Sequence, residues 1–195
     1  MSSLLDSLLF LARIDAGTEH ARLEEVDAQL LCARAFVKWR PVLREAGVHL
    51  TADLPSGPLK VLADNLYLPR LLNIILENAG KYTPSGGSVR LALAICGDRA
   101  RFEVSDTGVG IPPQDKSRIF DRFFRAGNAR GANLPGSGLG LALASWIAAR
   151  HGTVIEVQSE PGLGSCFASV LPLASTPAHH GSDVVCEPAP LASIA

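Results

Sequence analysis

Between Leu68 and Ala79, six apolar residues share one helical spacing. Leu68, Leu71, Leu72, Ile75, Leu76 and Ala79 lie at i, i+3, i+4, i+7, i+8 and i+11. They form a stripe on one side of a helix, so that side must rest on a core. Asp64 is a good N-cap just upstream, and Pro84 with Gly86-Gly87 ends the run. Pro69 falls within the pattern. A proline inside a helix costs about 3 kcal/mol, so the helix is expected to begin near Leu68 with Pro69 in its first turn.

The segments around this helix read as short strands and helices. Ala21–Val26 is a candidate strand, and Asp27–Gly47 a helix with Pro41 as a kink or break. Val48–Leu54 alternates like a strand, and Leu59–Ala63 is another short apolar run. Val89–Ile95 and Arg101–Ser105 suggest a hairpin about Gly97-Asp98. Leu139–Arg150 reads as a helix, and Thr153–Gln158 and Ser165–Leu171 as strands divided by Pro161–Gly164. Hairpins mixed with helices, without strict βαβ alternation, predict an α+β fold: a two-layer sandwich with helices on one face of a mostly antiparallel sheet.

The ends differ from this middle. Residues 2–15 place Leu4, Leu8 and Leu11 in one helical row and Leu5, Leu9 and Ala12 in the next, with Phe10 widening the arc. So apolar a helix needs a partner, either a second helix or the body of the domain. From Ala174 to Ala195, Ala, Ser, Thr, Pro and Gly supply 13 of 22 residues, the composition of a disordered tail. His179-His180 within it reads as a solvated pair.

The 195 residues are 47% hydrophobic with a formal charge of −1. That excludes wholesale disorder and argues against a dedicated nucleic-acid or anionic-membrane binder. No stretch reaches the roughly 20 apolar residues of a membrane-spanning helix. Cys32, Cys96, Cys166 and Cys186 are scattered, which suggests neither a zinc site nor a disulfide framework and makes a reduced cytoplasmic compartment the default.

Three glycine-rich segments stand out: Asp106-Thr107-Gly108-Val109-Gly110-Ile111 after a strand, Gly136-Ser137-Gly138-Leu139-Gly140-Leu141 before a helix, and Gly162-Leu163-Gly164-Ser165 between strands. Singly, each is more often a turn than a site. No phosphate-binding GxxxxGK[ST] occurs, and the second segment fails the strand context of a dinucleotide fingerprint. The stripe helix ends in Glu77-Asn78-Ala79-Gly80-Lys81-Tyr82-Thr83-Pro84, which puts the Asn78 amide, Lys81 ammonium and Tyr82 phenol along one helix edge. An amide oxygen can ligate magnesium, an ammonium can meet a phosphate, and a phenol can contact a base or sugar. Arg118-Ile119-Phe120-Asp121-Arg122-Phe123-Phe124-Arg125, read alone, is an amphipathic turn with a charged outer face.

Together, ENAGKYTP, DTGVGI, RIFDRFFR, GSGLGL and GLGS resemble, in this order, the boxes of sensor histidine kinase catalytic domains, which belong to the Bergerat-fold ATPases. The resemblance covers about residues 20–173. The opening SLLFLARIDAG and the FDRFFRA phrase are similar to the heavy-metal-responsive, membrane-bound subfamily. The resemblance implies a Bergerat-type sandwich over residues 18–173, residues 1–17 as the end of a dimerisation and phosphoacceptor helix hairpin, and a tail over 174–195. It implies ATP and Mg2+ as ligands. Asn78 would hold the metal, Lys81 a phosphate, and Tyr82 the nucleotide. Asp106 would accept the adenine amino group, with Gly108, Gly110 and Ile111 beneath the base. Residues from Pro112 to about Pro135 would form a lid packed down by Phe120, Phe123 and Phe124. Arg122 or Arg125 would reach the terminal phosphate, and Gly136, Ser137, Gly138, Leu139 and Gly140 would close over the phosphates.

The chain also departs from that family. His20 precedes Ala21 in a turn-like stretch, His49 lies in a predicted strand and His151 in a structural His-Gly pair, so the phosphoacceptor histidine is missing. By that resemblance the chain is expected to begin inside the dimerisation domain. Four residues before Asn78, where the family carries another asparagine, stands Ile74; Asn73 is about 100° away around the helix. Thr153 replaces a usual glycine. The leading expectation is a kinase catalytic part that phosphorylates a histidine on another segment or chain and serves a response regulator. It would act in the cytoplasm, in an inner-membrane kinase or alone, with the first helix a possible homodimer contact. The alternative is a degenerate nucleotide-binding module that regulates a partner.

Overall fold

The computed structural model describes residues 2–127 and 136–174. The expected tail beyond Ala174, with His179-His180, lies outside them, as do lid residues 128–135. Five strands form the main sheet, in the order β2 (His49–Asp53), β4 (Ser88–Cys96), β5 (Arg99–Asp106), β7 (Gly164–Pro172), β6 (Glu156–Glu160). Only β2 and β4 run parallel. A smaller antiparallel pair joins β1 (Glu24–Asp27) to β3 (Lys60–Ala63). The helices are α1 (Ser2–Asp15), α2 (Ala28–Glu45), α3 (Tyr67–Tyr82) and α4 (Gly140–Arg150).

One face of the sheet makes the core. Ala100, Phe102 and Val104 of β5 alternate toward it, with Val89, Leu91 and Leu93 of β4 beside them. All six stripe residues of α3 are buried against this layer. On the opposite face an ion-pair ladder crosses the strands: Asp53 to Arg90, Arg90 to Glu103, Glu103 to Arg101, Arg101 to Glu156. Glu103 fits there because its cross-strand neighbours are Ala92 and Ala168.

Local chemistry sets the boundaries. The expected hairpin forms, with Cys96 opposite Arg99 and Gly97 at φ +60°, the left-handed first position of a primed two-residue turn. The Asp27 carboxylate caps α2 at Leu30 N. Pro41 does not break α2, which runs on through it to Glu45; Pro41 and Val37 both face solvent, where water can serve the freed carbonyl. Pro69 sits in the first turn of α3. Asp64 lies one turn before the start of α3 rather than at its N-cap position, yet its Oδ1 accepts from Leu66 N and Tyr67 N, both at 2.9 Å. Burial works to raise the pKa of Asp64, but backbone donors from Arg22, Tyr67 and Leu66 hold it below the ordinary value. Thr153–Ile155 stays outside β6, which starts at Glu156. Cys32 and Cys166 are free buried thiols.

Helix α1 packs on the body of the domain through its second half. Phe10, Tyr67 and Trp146 form a cluster of edge-on rings with centroids 5.4–5.5 Å apart. Leu5, Leu8 and Leu9 stay exposed, so the apolar arc is only partly covered. Gly17 ends the helix in the left-handed region, with Thr18 N donating to Arg13 O and Gly17 N to Ile14 O.

Candidate functional site

The end of α3, the loop after β5 and the start of α4 enclose two overlapping cavities. A narrow cleft of about 70 Å³ is lined by Asn78, Tyr82, Asp106, Val109, Gly110, Ile111, Ile119, Phe124, Arg125, Leu141, Ser165 and Phe167. It shares Asn78, Tyr82, Ile119, Phe124, Arg125 and Leu141 with a wider cavity of about 920 Å³. That cavity extends past Ile74, Glu77 and Lys81 to Gly136, Ser137, Gly138 and Gly140.

Asp106 stands at the back of the cleft, on the last residue of the central strand β5, and is almost wholly buried. Its Oδ1 accepts from Gly108 N at 2.8 Å and Ser165 N at 3.3 Å. Burial pushes its pKa up to about 6, against the lowering effect of those two donors. Val109, Ile111, Ile119, Phe124, Leu141 and Phe167 line much of the cleft, which therefore pairs one acidic acceptor with a largely apolar slot. The loop that follows Asp106 is tied to α3 by Val109 N donating to Tyr82 O at 3.1 Å. Gly110 has φ +66°, and a Cβ there would overlap the Glu160 carbonyl, so only glycine lets the loop lie against the β6–β7 turn.

The polar edge of α3 faces the wide cavity as its spacing requires. Lys81 Nζ donates to the Tyr82 hydroxyl at 3.0 Å and lies close to Gly136. No side chain caps the start of α4, so its first N–H groups are available to an anion beside Gly136–Gly140. Among the described residues, no group of three His, Cys, Asp or Glu side chains could hold a metal. Magnesium needs few protein ligands when phosphates and water complete its shell, and the Asn78 amide oxygen on the shared wall fits that habit.

The phenylalanine-rich segment divides. Phe120 and Phe124 pack on the core, but Phe123 is 63% exposed, at φ +64°, with its N–H donating to Gly138 O at 2.9 Å. Phe123 therefore does not pack this segment down, as the sequence led us to expect. Its backbone is instead held at the Gly138 turn in a conformation that turns the ring outward. Arg125 lines both cavities, whereas Arg122 lines neither and makes two 2.7 Å hydrogen bonds to Asp15 of α1. Leu139 is fully buried and serves the core rather than the cavity surface.

Three neighbours of the site had no role assigned from the sequence. Ser165 and Ser159 lie behind Asp106 and Ile111, and Phe167 forms a wall. Ser165 ends the third glycine segment, a signal that was present; Ser159 has none, since a polar residue in a strand ordinarily faces water. Ile74 lines the wide cavity, with its Cγ2 3.4 Å from where a Cβ on Gly140 would stand. Asn73 is turned to α2 instead: its Oδ1 accepts from Lys38 Nζ and Trp39 Nε1, each at 2.8 Å.

The family model for "Histidine kinase-, DNA gyrase B-, and HSP90-like ATPase" matches residues 63–175. The sensor-like histidine kinase SenX3 of Mycobacterium tuberculosis is 33% identical, over 94% of this chain and 44% of that protein. The signal transduction histidine-protein kinase/phosphatase MprB of Mycolicibacterium vanbaalenii is 36% identical, over 94% of this chain and 37% of that protein. The chain thus spans less than half the length of these curated relatives. Among solved structures, full-length ShkA in complex with AMPPNP is similar at a TM-score of 0.77 and 33% identity, over 90% of this chain and 36% of that one.

Proposed function

We propose, from the premise that this chain belongs to the histidine kinase-, DNA gyrase B- and HSP90-like ATPases, that it binds Mg-ATP and transfers the γ-phosphoryl group to a histidine on another segment or chain. The observation that carries this reading is the position of Asp106. One of its oxygens is held by two backbone donors, in a narrow cleft that shares Asn78 with the wider cavity reaching the uncapped start of α4. An acceptor-only carboxylate suits the amino group of adenine.

In this reading the adenine lies between Asp106 and the loop of Gly108, Gly110 and Ile111, with Tyr82 against the nucleotide. Phe120 backs the segment beside the cleft. Lys81, Arg125 and the N–H groups around Gly136, Ser137, Gly138 and Gly140 neutralise the phosphates. Asn78 would hold magnesium, which supplies charge neutralisation on the phosphate oxygens when bound. A nitrogen of the acceptor histidine attacks the γ-phosphorus, the bond to the β–γ bridging oxygen breaks, and ADP leaves with those electrons. Positioning and charge neutralisation are what such a transfer asks of the protein.

The end of α1 at Asp15, followed by left-handed Gly17, supports a division at about residue 17, with residues 18–173 as the catalytic part and 1–17 as the end of a histidine-bearing helix domain. A response regulator would receive the phosphoryl group downstream, and the setting would be cytoplasmic. Among the described residues no helix is long and apolar enough to cross a membrane. Titration calorimetry of Mg-ATP against the protein and against Asn78→Ala tests the reading. Binding that weakens in the variant is expected, and a separately supplied acceptor-helix domain should then gain acid-labile phosphohistidine. No heat with the parent protein at saturating nucleotide would overturn it.

A further inference from the structure

Strand β6 has one buried residue, and it is polar: Ser159, 6% exposed, amid exposed or half-buried neighbours. Its hydroxyl group is fully used. It donates to Gly164 O at 2.9 Å and accepts the N–H of Ile111 at 2.8 Å. The Ser165 hydroxyl is 2.9 Å away, and because the Ser159 proton already goes to Gly164 O, the proton in that pair comes from Ser165. One donor and two acceptors therefore meet three groups, the full capacity of a serine.

Two of these three groups, those of Ile111 and Ser165, belong to residues that line the narrow cleft, and Gly164 directly precedes Ser165. Ile111 lies in the loop after Asp106 and lines the cleft. Ser165 lines it too, and its N–H supports Asp106 Oδ1. The same two segments are pinned again by Gly162 N donating to Val109 O at 3.0 Å. Ser159 itself does not line the cleft. It lies behind, where it fixes the separation between the acidic acceptor and the loop that faces it.

We infer that Ser159 is a positioning residue for base recognition: through Ile111 and Ser165 it sets the width and register of the slot that reads the purine. This inference rests on the nucleotide reading above and adds the element that tunes its selectivity. A purine with an amino group facing Asp106 gains from a correctly spaced carboxylate. One with a carbonyl there, such as guanine, gains nothing from it. Loss of Ser159 should therefore weaken adenine binding selectively. Alanine leaves the half-buried Ile111 N–H without its acceptor, and the loop shifts to find another.

The test is competition calorimetry with ATP and GTP, each with magnesium, on the full chain and on Ser159→Ala and Ser159→Thr. The parent should prefer ATP. Ser159→Ala should lose about tenfold in ATP affinity with less than a twofold change for GTP, and Ser159→Thr, which keeps the hydroxyl, should restore the preference. Equal weakening for both nucleotides, or unchanged ATP affinity, would overturn the inference, since a merely structural serine moves both together or neither. If Ser159→Ala does not fold, amide exchange on the parent decides. Slow exchange at Ile111, protected by the buried hydroxyl, supports the assignment and fast exchange overturns it. A parent that binds neither nucleotide would instead remove the nucleotide reading, and this inference with it.

Discussion

The imidazole of His151, where α4 ends, accepts the backbone N–H of Asp64 at 2.9 Å, and its Nδ1 meets the Ile147 carbonyl at 2.8 Å. The partners fix the tautomer: Nδ1 carries the proton and Nε2 is the acceptor. This buried bond joins the turn that starts α3 to the end of α4, and so holds together the two helices whose other ends frame the wide cavity. His151→Ala leaves the Asp64 N–H unmatched, at a cost of about 1–3 kcal/mol. Thermal unfolding should show a Tm several degrees lower, with the ATP-over-GTP preference intact. An unshifted Tm would mean that the bond contributes nothing to stability.

Asp106 predicts opposite pH effects on stability and on binding. Its pKa in the folded protein is about 6, above the ordinary 3.8, because burial disfavours the charge. The folded state thus holds the proton more tightly than the unfolded one. The penalty for the charged carboxylate is present above pH 6 and fades as pH falls toward 4, so this group favours the empty fold at the acid end. Adenine needs the ionised acceptor, so ATP affinity should drop about fourfold between pH 7.5 and 5.5. Asp106→Asn, which cannot titrate, reports the part of that drop that belongs to the nucleotide's own phosphates. Equal pH dependence in parent and variant would remove Asp106 from the base site.

Much of this was legible because period and spacing encode it. The stripe from Leu68 to Ala79 fixed the buried face of α3, and once that face is buried, Asn78, Lys81 and Tyr82 must sit on its edge. Glycine segments mark close backbone approaches, and their order carried the resemblance. What escaped has physical reasons. Pro41 did not break α2, because a proline on an exposed helix face leaves its freed carbonyl to water. Phe123 looked like packing by composition, but its left-handed backbone and exposed ring go with a backbone bond to Gly138, which spacing does not reveal. Arg122 found Asp15 across 107 positions, and the Asp64–His151 bond spans 87; pairings at that range are set by how distant elements pack, which local spacing does not encode.

Ile74 offers a gain-of-function test. It lines the wide cavity beside Gly140, at the point where the family's helix carries an amide, and Asn73 is committed to Lys38 and Trp39. Ile74→Asn puts a donor and an acceptor beside the uncapped start of α4. One net hydrogen bond is worth roughly 1 kcal/mol, which predicts Mg-ATP affinity about fivefold tighter by calorimetry. Stability should fall slightly, because a half-buried apolar side chain is lost. If affinity falls instead, the cavity depends on the apolar wall that isoleucine provides, and Ile74 is an adaptation of this chain rather than a lost anchor.

Arg122 and Arg125 lie three residues apart and should separate cleanly by experiment. Arg125 lines both cavities, so Arg125→Ala should weaken ATP more than ADP, by about tenfold, as expected for a charge-assisted bond to the terminal phosphate. Arg122 is engaged with Asp15, whose carboxyl is held below its ordinary range by those hydrogen bonds. Arg122→Ala should leave both nucleotide affinities unchanged and loosen α1 instead. Trp146 packs edge-on to Phe10 of α1, so its fluorescence reports that loosening. Asp15→Ala should reproduce the effect, and the double variant should add nothing, as required of two partners in one pair. A loss of ATP affinity in Arg122→Ala that Asp15→Ala does not share would place Arg122 at the phosphates and reduce its pairing with Asp15 to a resting contact.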